Sequence, residues 1–421
     1  MMKDKGRGGH ISPWAWVPTL YLAEGLPNFL VTSMSITLFT QLGMDNGKIA
    51  LFTSLIAYPW IIKPLWSPFV DSLRTKRWWI LATQFPMALT VLLLALLAPR
   101  GYTTIALILF SITAFCSATH DIAADGYYML ALNEIQQSRF IGIRSAFYKI
   151  ANVLCQFVIL KIIDYLQHNN IDNVTSWTIG LLICSGILSC MAVAHVWSMP
   201  KVEQTPAEHK SLAVIGHEVL QPFAEFFRKP GIGLSICFML LCRLPEALLL
   251  KLRDPFFLGK IEDGGMALTL GNIADLNIVG LVLMILGGLG GGWWAERAGL
   301  KKVIVPMILC IALPCIVYVF FAQYQPASFW TMSICVGFEQ LGYGLGYTAC
   351  MLYMIRVAEG THKTALFSIC TAFMYLGYVL PGMVAGYIQE STGYLWFFWI
   401  VMVSCIPSII VTEIVRRRLD D

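Results

Sequence analysis

Charge is scarce in this chain: 13% of its residues are Asp, Glu, Lys or Arg, against 57% that are hydrophobic, where soluble proteins carry about 25% charged residues. A water-soluble fold cannot hide that much apolar surface, which excludes an ordinary soluble enzyme or binding module. The 12 cysteines form no C-x-x-C pair and no cluster with histidine, and most fall inside apolar runs. A disulfide framework or a zinc site therefore has no support, and apolar packing accounts for them. There is no H-E-x-x-H pair, and the intramembrane acids come with no evident nucleophile or metal set, so neither an enzyme nor a cofactor is expected. No stretch has the size of a soluble output domain, which argues against a membrane sensor. The net charge of +4 comes from basic residues in short loops and not from a continuous patch, so no nucleic-acid partner is expected.

What the chain does have is apolar runs of 18 or more residues, each long enough to cross a hydrocarbon core of roughly 30 Å as a helix. Reading these runs against polar breaks predicts helices at 14–39, 49–70, 78–98, 104–131, 143–166, 176–197, 231–257, 272–293, 303–322, 328–357, 364–388 and 393–414. The expectation is an all-α integral membrane protein of 12 helices. The first run, of about 26 residues, is too long for a signal-peptide core and lacks a cleavage site. The one long interruption, 198–230, gathers Lys201, Glu203, Glu208, Lys210, Glu218, Glu225, Arg228 and Lys229. About 33 residues are too few for an independent core, so a linker with short amphipathic pieces is expected between domains 1–197 and 231–421. Cytoplasmic loops retain Lys and Arg. With the N-terminus inside, the inner segments, from Lys3, Lys5 and Arg7 to Arg416, Arg417 and Arg418, hold twenty of the 29, Arg139, Arg144 and Lys210 among them. The outer loops hold Lys48, Arg100, Lys251, Arg253 and Lys260. Both termini are expected in the cytoplasm.

After the eighth helix, Gly292-Trp293-Trp294-Ala295-Glu296-Arg297-Ala298-Gly299-Leu300-Lys301-Lys302 fits the pattern G-x-x-x-[DE]-R-x-G-x-[KR]-[KR], and Asp71, Arg74, Lys76 and Arg77 give a looser version after the second. An acid at a helix end beside a basic turn can pair in one arrangement of helices and separate in another. This resembles the gating-loop motif of the major facilitator superfamily. The resemblance implies two six-helix bundles around a central cavity lined by the first, fourth, seventh and tenth helices. The run Gly287-Gly288-Leu289-Gly290-Gly291-Gly292 lacks the Lys-Ser/Thr of a phosphate-binding loop and reads as close helix packing.

Ionisable groups deep in membrane helices cost a few kcal/mol and are functional candidates unless a partner neutralises them. Glu24, Asp121, Asp125, Glu246 and Glu339 lie inside apolar runs, on the helices just named. At about 1.5 Å per residue, Asp125 and Lys149 have matching depths, Lys63 reaches the level of Asp121, and Arg243 and Glu246 share a face of the seventh helix. The plain alternative is that such pairs only neutralise one another. The stronger one is that a carboxyl in the cavity carries a proton inward with a solute. One proton crossing about 150 mV releases roughly 3.5 kcal/mol, enough for accumulation of order a few hundredfold. Tyr343 and Tyr347 beside Glu339, and Tyr375 and Tyr378 on the eleventh helix, are spaced to stack on sugar rings, although aromatics at helical spacing usually serve packing.

Two stretches are more specific. Trp66, Ser67, Pro68, Asp71, Arg77, Trp78 and Leu81-Ala82-Thr83-Gln84, together with Ala114-Phe115-Cys116-Ser117-Ala118-Thr119-His120-Asp121-Ile122-Ala123-Ala124-Asp125-Gly126, resemble AmpG-type muropeptide permeases, and Gly25-Leu26-Pro27 also fits. His120 replaces the usual Gln of the S-A-x-Q-D-I-x-x-D signature, and the first-half loop lacks its regular Arg-x-Gly. The resemblance implies a cell-wall-derived solute, an anhydro-muropeptide or amino-sugar saccharide, imported with protons across a bacterial inner membrane by a monomer. The related acetyl-coenzyme A carriers share D-I-x-x-D. A solute with several phosphates is expected to need more cavity cations than Lys63, Lys149 and Arg243.

Overall fold

The computed structural model describes residues 11–202, 212–360 and 363–419, and among these it forms helices with no strand. Twelve rods follow one another: α1 (13–41), α2 (46–73), α3 (Lys76–Arg100), α4 (Thr103–Ala131), α5 (134–168), α6 (Asn173–Ser198), α7 (Ile232–Leu258), α8 (Leu270–Ala298), α9 (Leu300–Tyr324), α10 (Phe329–Val357), α11 (363–392) and α12 (394–418). Gly393, at φ 76°, breaks the helix between the last two. A linker helix, Leu212–Arg228, lies between α6 and α7. Among the described residues eight stretches, one of them the Ala365–Arg418 run that holds α11 and α12, are long and apolar enough to cross a membrane. The polar content and breaks of the other rods are explained by what they face.

Local sequence sets the ends. Thr75, Asp172 and Ser328 accept backbone N–H groups at the starts of α3, α6 and α10, and Asn133/Gln136 and Thr269/Asn272 form capping boxes at α5 and α8, each satisfying donors a helix leaves orphaned. Inside α1, Pro27 is followed by a wider π turn at Leu30–Met34, and α5 carries another at Leu154–Ile159; such turns frequently mark functional sites. The glycine run of α8 packs on α10. A Cβ at Gly287 would lie 2.1 Å from the Leu341 carbonyl oxygen, so the run serves close helix approach.

The outer surface is apolar, and the interior combines apolar cores with a set of buried charged groups. Leu89, Leu289 and Ile334 are 55%, 69% and 69% exposed, whereas Glu24, Arg243 and Glu246 are buried, as expected where lipid is the solvent. Packing pairs α3 with α4 and α6, α8 with α10, and α9 with α10 and α12. Contacts between the first six rods and the last six run through α2 with α11, α5 with α8, and α1 with α7. At the end away from the linker these contacts become polar. Asn46 Nδ2 donates to Gln389 Oε1 (2.7 Å) and Tyr394 Oη (2.9 Å), and the Gly47 N–H to Glu390 Oε1 (2.7 Å). Thr37 donates to Asp254 (2.9 Å), and Lys161 pairs with Asp275 (2.7 Å). This end is sealed.

Many of the counted cations lie inside helices, Lys48, Lys76, Arg297 and Lys301 near their ends and three others deeper. Arg144 lies within α5, and Lys251 and Arg253 lie within α7, so none of the three is a loop residue. The predicted segments 143–166 and 231–257 already contain these three positions, and setting them aside leaves the sign of the charge asymmetry unchanged. Lys3, Lys5, Arg7 and Lys210, and the side chains of Asp71 and Arg139, lie outside the described residues.

Candidate functional site

The polar faces of the rods converge on one central cavity of about 930 Å³, at the upper end of the roughly 300–1,000 Å³ typical of sites for drug-sized ligands. Its wall draws on both halves of the chain. On the first half, Tyr21 and Glu24 stand one turn apart on α1, just before the Pro27 break. Asp121 and Asp125 stand one turn apart on α4.

Each α4 carboxylate meets a cation from a neighbouring helix. Lys63 Nζ lies 3.7 Å from Asp121 Oδ2, which also accepts from Trp60 Nε1 at 3.1 Å. Arg144 Nη2 lies 2.7 Å from Asp125 Oδ1, to which the Tyr21 hydroxyl also donates at 3.3 Å. The Arg144 guanidinium covers the Tyr21 ring at 4.5 Å, adding a cation–π contact. The expected pairing of Asp125 with Lys149 is not formed, because Arg144 takes that place. Lys149 lines the cavity, and among the described residues no ion pair or hydrogen bond is recorded for its ammonium. Glu24 is buried, and among the described residues its Oε2 has no hydrogen-bond partner.

On the second half, Arg243 and Glu246 form a two-bond pair, 2.7 Å from Nε and 2.6 Å from Nη2. Arg243 Nη2 also donates to the Tyr343 hydroxyl at 3.2 Å. Rings of Tyr343, Tyr347 and Tyr378 lie 5.6, 5.1 and 5.5 Å from the same guanidinium. Tyr375 stands 5.9 Å from Tyr378 and also lines the cavity. The tyrosines thus form an aromatic cage held by a buried ion pair. Arg253 is a further cavity cation, bonded to Asp254 at 3.2 Å and to Asn277 at 2.6 Å.

Glu339 is placed differently from expectation. It lies behind the wall, 3% exposed, accepting from Gln340 Nε2 at 2.9 Å, and it is Gln340 that lines the cavity. His120 also points away. It is fully buried and joined through Gln84 to His195 at 3.0 Å, which Thr19 meets at 2.9 Å; this polar chain ties α1, α3, α4 and α6 together. The gating-loop residues sit at helix ends. Arg77 donates to the carbonyls of Val196 (2.5 Å) and Met199 (3.0 Å), and Arg74 lies over Trp78 at 5.8 Å. Gly292, Glu296 and Arg297 are in the last turns of α8, with Arg297 over Trp293 at 4.2 Å. Gly299, at φ 79°, makes the turn into α9, where Lys301 follows.

Sequence reasoning missed Arg144 and Arg253. The Asn133/Gln136 capping box is the signal that could have found the first, since it starts α5 at Glu134 and sets Arg144 about 15 Å inside the helix.

The family model of the Major Facilitator Superfamily matches residues 19–253 and 261–420. The anhydromuropeptide permease of Escherichia coli K12 is 23% identical over 418 residues, spanning 95% of this chain and 79% of the permease. A variant of the nucleoside transporter NupG superposes with a TM-score of 0.70 at 14% identity, over 94% of this chain and 97% of its own. A D-xylose–proton symporter does so with 0.68 at 11%, over 94% and 95%. The structural likenesses speak for the fold, and the family match runs through nearly the whole sequence. The chain is therefore a multi-pass membrane transporter and belongs to the Major Facilitator Superfamily.

Proposed function

We propose that this transporter imports anhydro-muropeptides or related amino-sugar saccharides together with protons across a bacterial inner membrane, with both termini and the linker on the cytoplasmic side. The observation that carries the reading is the buried Glu24, whose Oε2 has no hydrogen-bond partner among the described residues, beside a cavity of about 930 Å³ that combines a tyrosine cage with paired charges. A carboxyl so placed is costly as an anion and is the natural seat of a transported proton. Asp121 and Asp125, already held by cations, relay or respond to it. The tyrosine faces suit pyranose rings, and Asn28, Asn152 and Gln156 in the wall suit hydroxyl and acetamido groups. The name of the Escherichia coli relative supports the solute class.

An acetyl-coenzyme A carrier is the second reading. The cavity holds more cations than expected, Arg144 and Arg253 being added, yet both are engaged by carboxylates. Several phosphates would find one unpaired ammonium, which favours the saccharide. With the far end sealed, the structure corresponds in this reading to a state open toward the cytoplasm.

The test is uptake of labelled N-acetylglucosaminyl-anhydro-N-acetylmuramic acid into proteoliposomes with an imposed proton gradient. Glu24→Gln is expected to keep solute exchange while losing accumulation. Full gradient-driven accumulation by that variant would remove Glu24 from the proton path, and absence of uptake by the unaltered protein would refute the solute.

A further inference from the structure

Five cations line the cavity: Lys63, Arg144, Lys149, Arg243 and Arg253. Four of them have a carboxylate of the protein within reach, at 3.7, 2.7, 2.6 and 3.2 Å respectively, from Asp121, Asp125, Glu246 and Asp254. Lys149 is the exception. It is exposed on the α5 wall, and among the described residues no ion pair or hydrogen bond is recorded for it. A lone cation facing an open cavity in a membrane protein calls for an anion that arrives from outside the chain.

We propose that Lys149 is the anchor for a carboxylate of the solute. This rests on the saccharide reading above and goes further by assigning the charge that the solute must carry and the residue that meets it. A single ammonium is a point charge with three rotatable donors and suits a monoanionic group. The cavity's three arginines, whose planar forks match phosphates, are already taken by carboxylates of the protein. One turn along α5, Asn152 also faces the cavity, so a donor and acceptor for an amide lies beside the anchor. The solute class this fits is an amino sugar bearing one carboxylate near the ring, as an ether-linked lactyl group does.

Among the described residues no side chain loses a hydrogen bond or ion pair when Lys149 is replaced, so its variants are expected to fold. The experiment compares two probes in proteoliposomes with an imposed inward proton gradient: N-acetylglucosaminyl-anhydro-N-acetylmuramic acid and its methyl ester. Loss of a charge-assisted hydrogen bond predicts that Lys149→Gln raises KM for the acid about ten- to a hundredfold. The ester, which offers no charge, is expected to change by less than about twofold, since only binding made by the removed group is lost. Lys149→Arg is expected to retain uptake of the acid, and a melting curve in detergent checks that each variant is folded. Equal effects on acid and ester, or none on the acid, overturn the assignment and leave the transport reading standing. Uptake of neither probe by the unaltered protein overturns that reading and this one with it.

Discussion

Gly386 offers the most direct test of the sealed end. A Cβ at this position of α11 would stand 2.0 Å from the carbonyl oxygen of Asn46, 2.3 Å from its carbon and 2.6 Å from the nitrogen of Gly47. These are backbone atoms of α2 and cannot rotate away, unlike a side chain. Non-bonded heavy atoms prefer about 3.5–4.0 Å, so Gly386→Ala forces α2 and α11 apart by more than about 1 Å. That separation stretches the three hydrogen bonds from Asn46 and Gly47 to Gln389, Tyr394 and Glu390, all between 2.7 and 2.9 Å. At a net worth of about 0.5–1.5 kcal/mol each, their loss costs about 1.5–4.5 kcal/mol, or roughly a 10- to 2,000-fold fall in the ratio of sealed to open forms. Spin labels carried on unnatural amino acids at Lys48 and Ser391, both exposed beside the seal, avoid the 12 native cysteines. The expected result is a longer interlabel distance in Gly386→Ala together with slower uptake. Gly186→Ala is the control, since a Cβ there meets nothing within 4 Å. If Gly386→Ala gives the distances and the uptake of the unaltered protein, the close approach of α2 to α11 is not part of the working cycle and the reasoning fails.

Two further outcomes follow from the charge pairs. In a double-mutant cycle on detergent melting, Asp125→Asn with Arg144→Gln is expected to couple by about 1 kcal/mol, toward the low end for contacting residues because both groups are partly exposed; Asp125→Asn with Lys149→Gln should be additive within about 0.5 kcal/mol, and the reverse ranking would refute the observed pairing. Lys251 is 2% exposed, with Thr53 Oγ1 at 3.1 Å as its recorded hydrogen-bond acceptor, so Lys251→Met removes an expensive buried ammonium and should raise Tm by a few degrees, whereas a fall would show that the charge is compensated.

The sequence made the rods legible because spanning length is a demand of the bilayer itself, and every predicted segment overlaps an observed helix. It also pointed to Glu24, Asp121, Asp125, Arg243 and Glu246, since a charge in an apolar run stands out. The partner of Asp125 was not legible. Depth along a helix can be counted from its end, but the start of α5 lies in a polar stretch that hydropathy reads as loop. With the start misplaced from Glu134 to residue 143, Lys149 took the depth that belongs to Arg144. Arg253 was not hidden by a misplaced end, since the predicted segment 231–257 contains it; its place near the end of that segment put it with the outer-loop charges. Nor does depth give direction around the axis, which is why Glu339 was expected in the cavity when it faces the core behind Gln340.

The two halves differ in how their charges are tied, and the difference bears on mechanism. In the first half each pair joins two helices: Lys63 of α2 to Asp121 of α4, and Arg144 of α5 to Asp125 of α4. Protonating a carboxylate there loosens one helix from another, and Glu24 on α1 stands beside the same cavity wall. In the second half Arg243 and Glu246 lie on one helix, three residues apart and nearly fully buried, so their bond constrains no second rod directly. What that pair fixes is the guanidinium under the tyrosine rings. Under the proposed reading, proton binding therefore acts on helix packing in the first half, while the second half presents a preformed surface to the solute. The seal through α2 and α11 connects the two, because α2 carries both Lys63 and the Asn46–Gly47 contacts. A change at Asp121 can thus reach the sealed end along one helix.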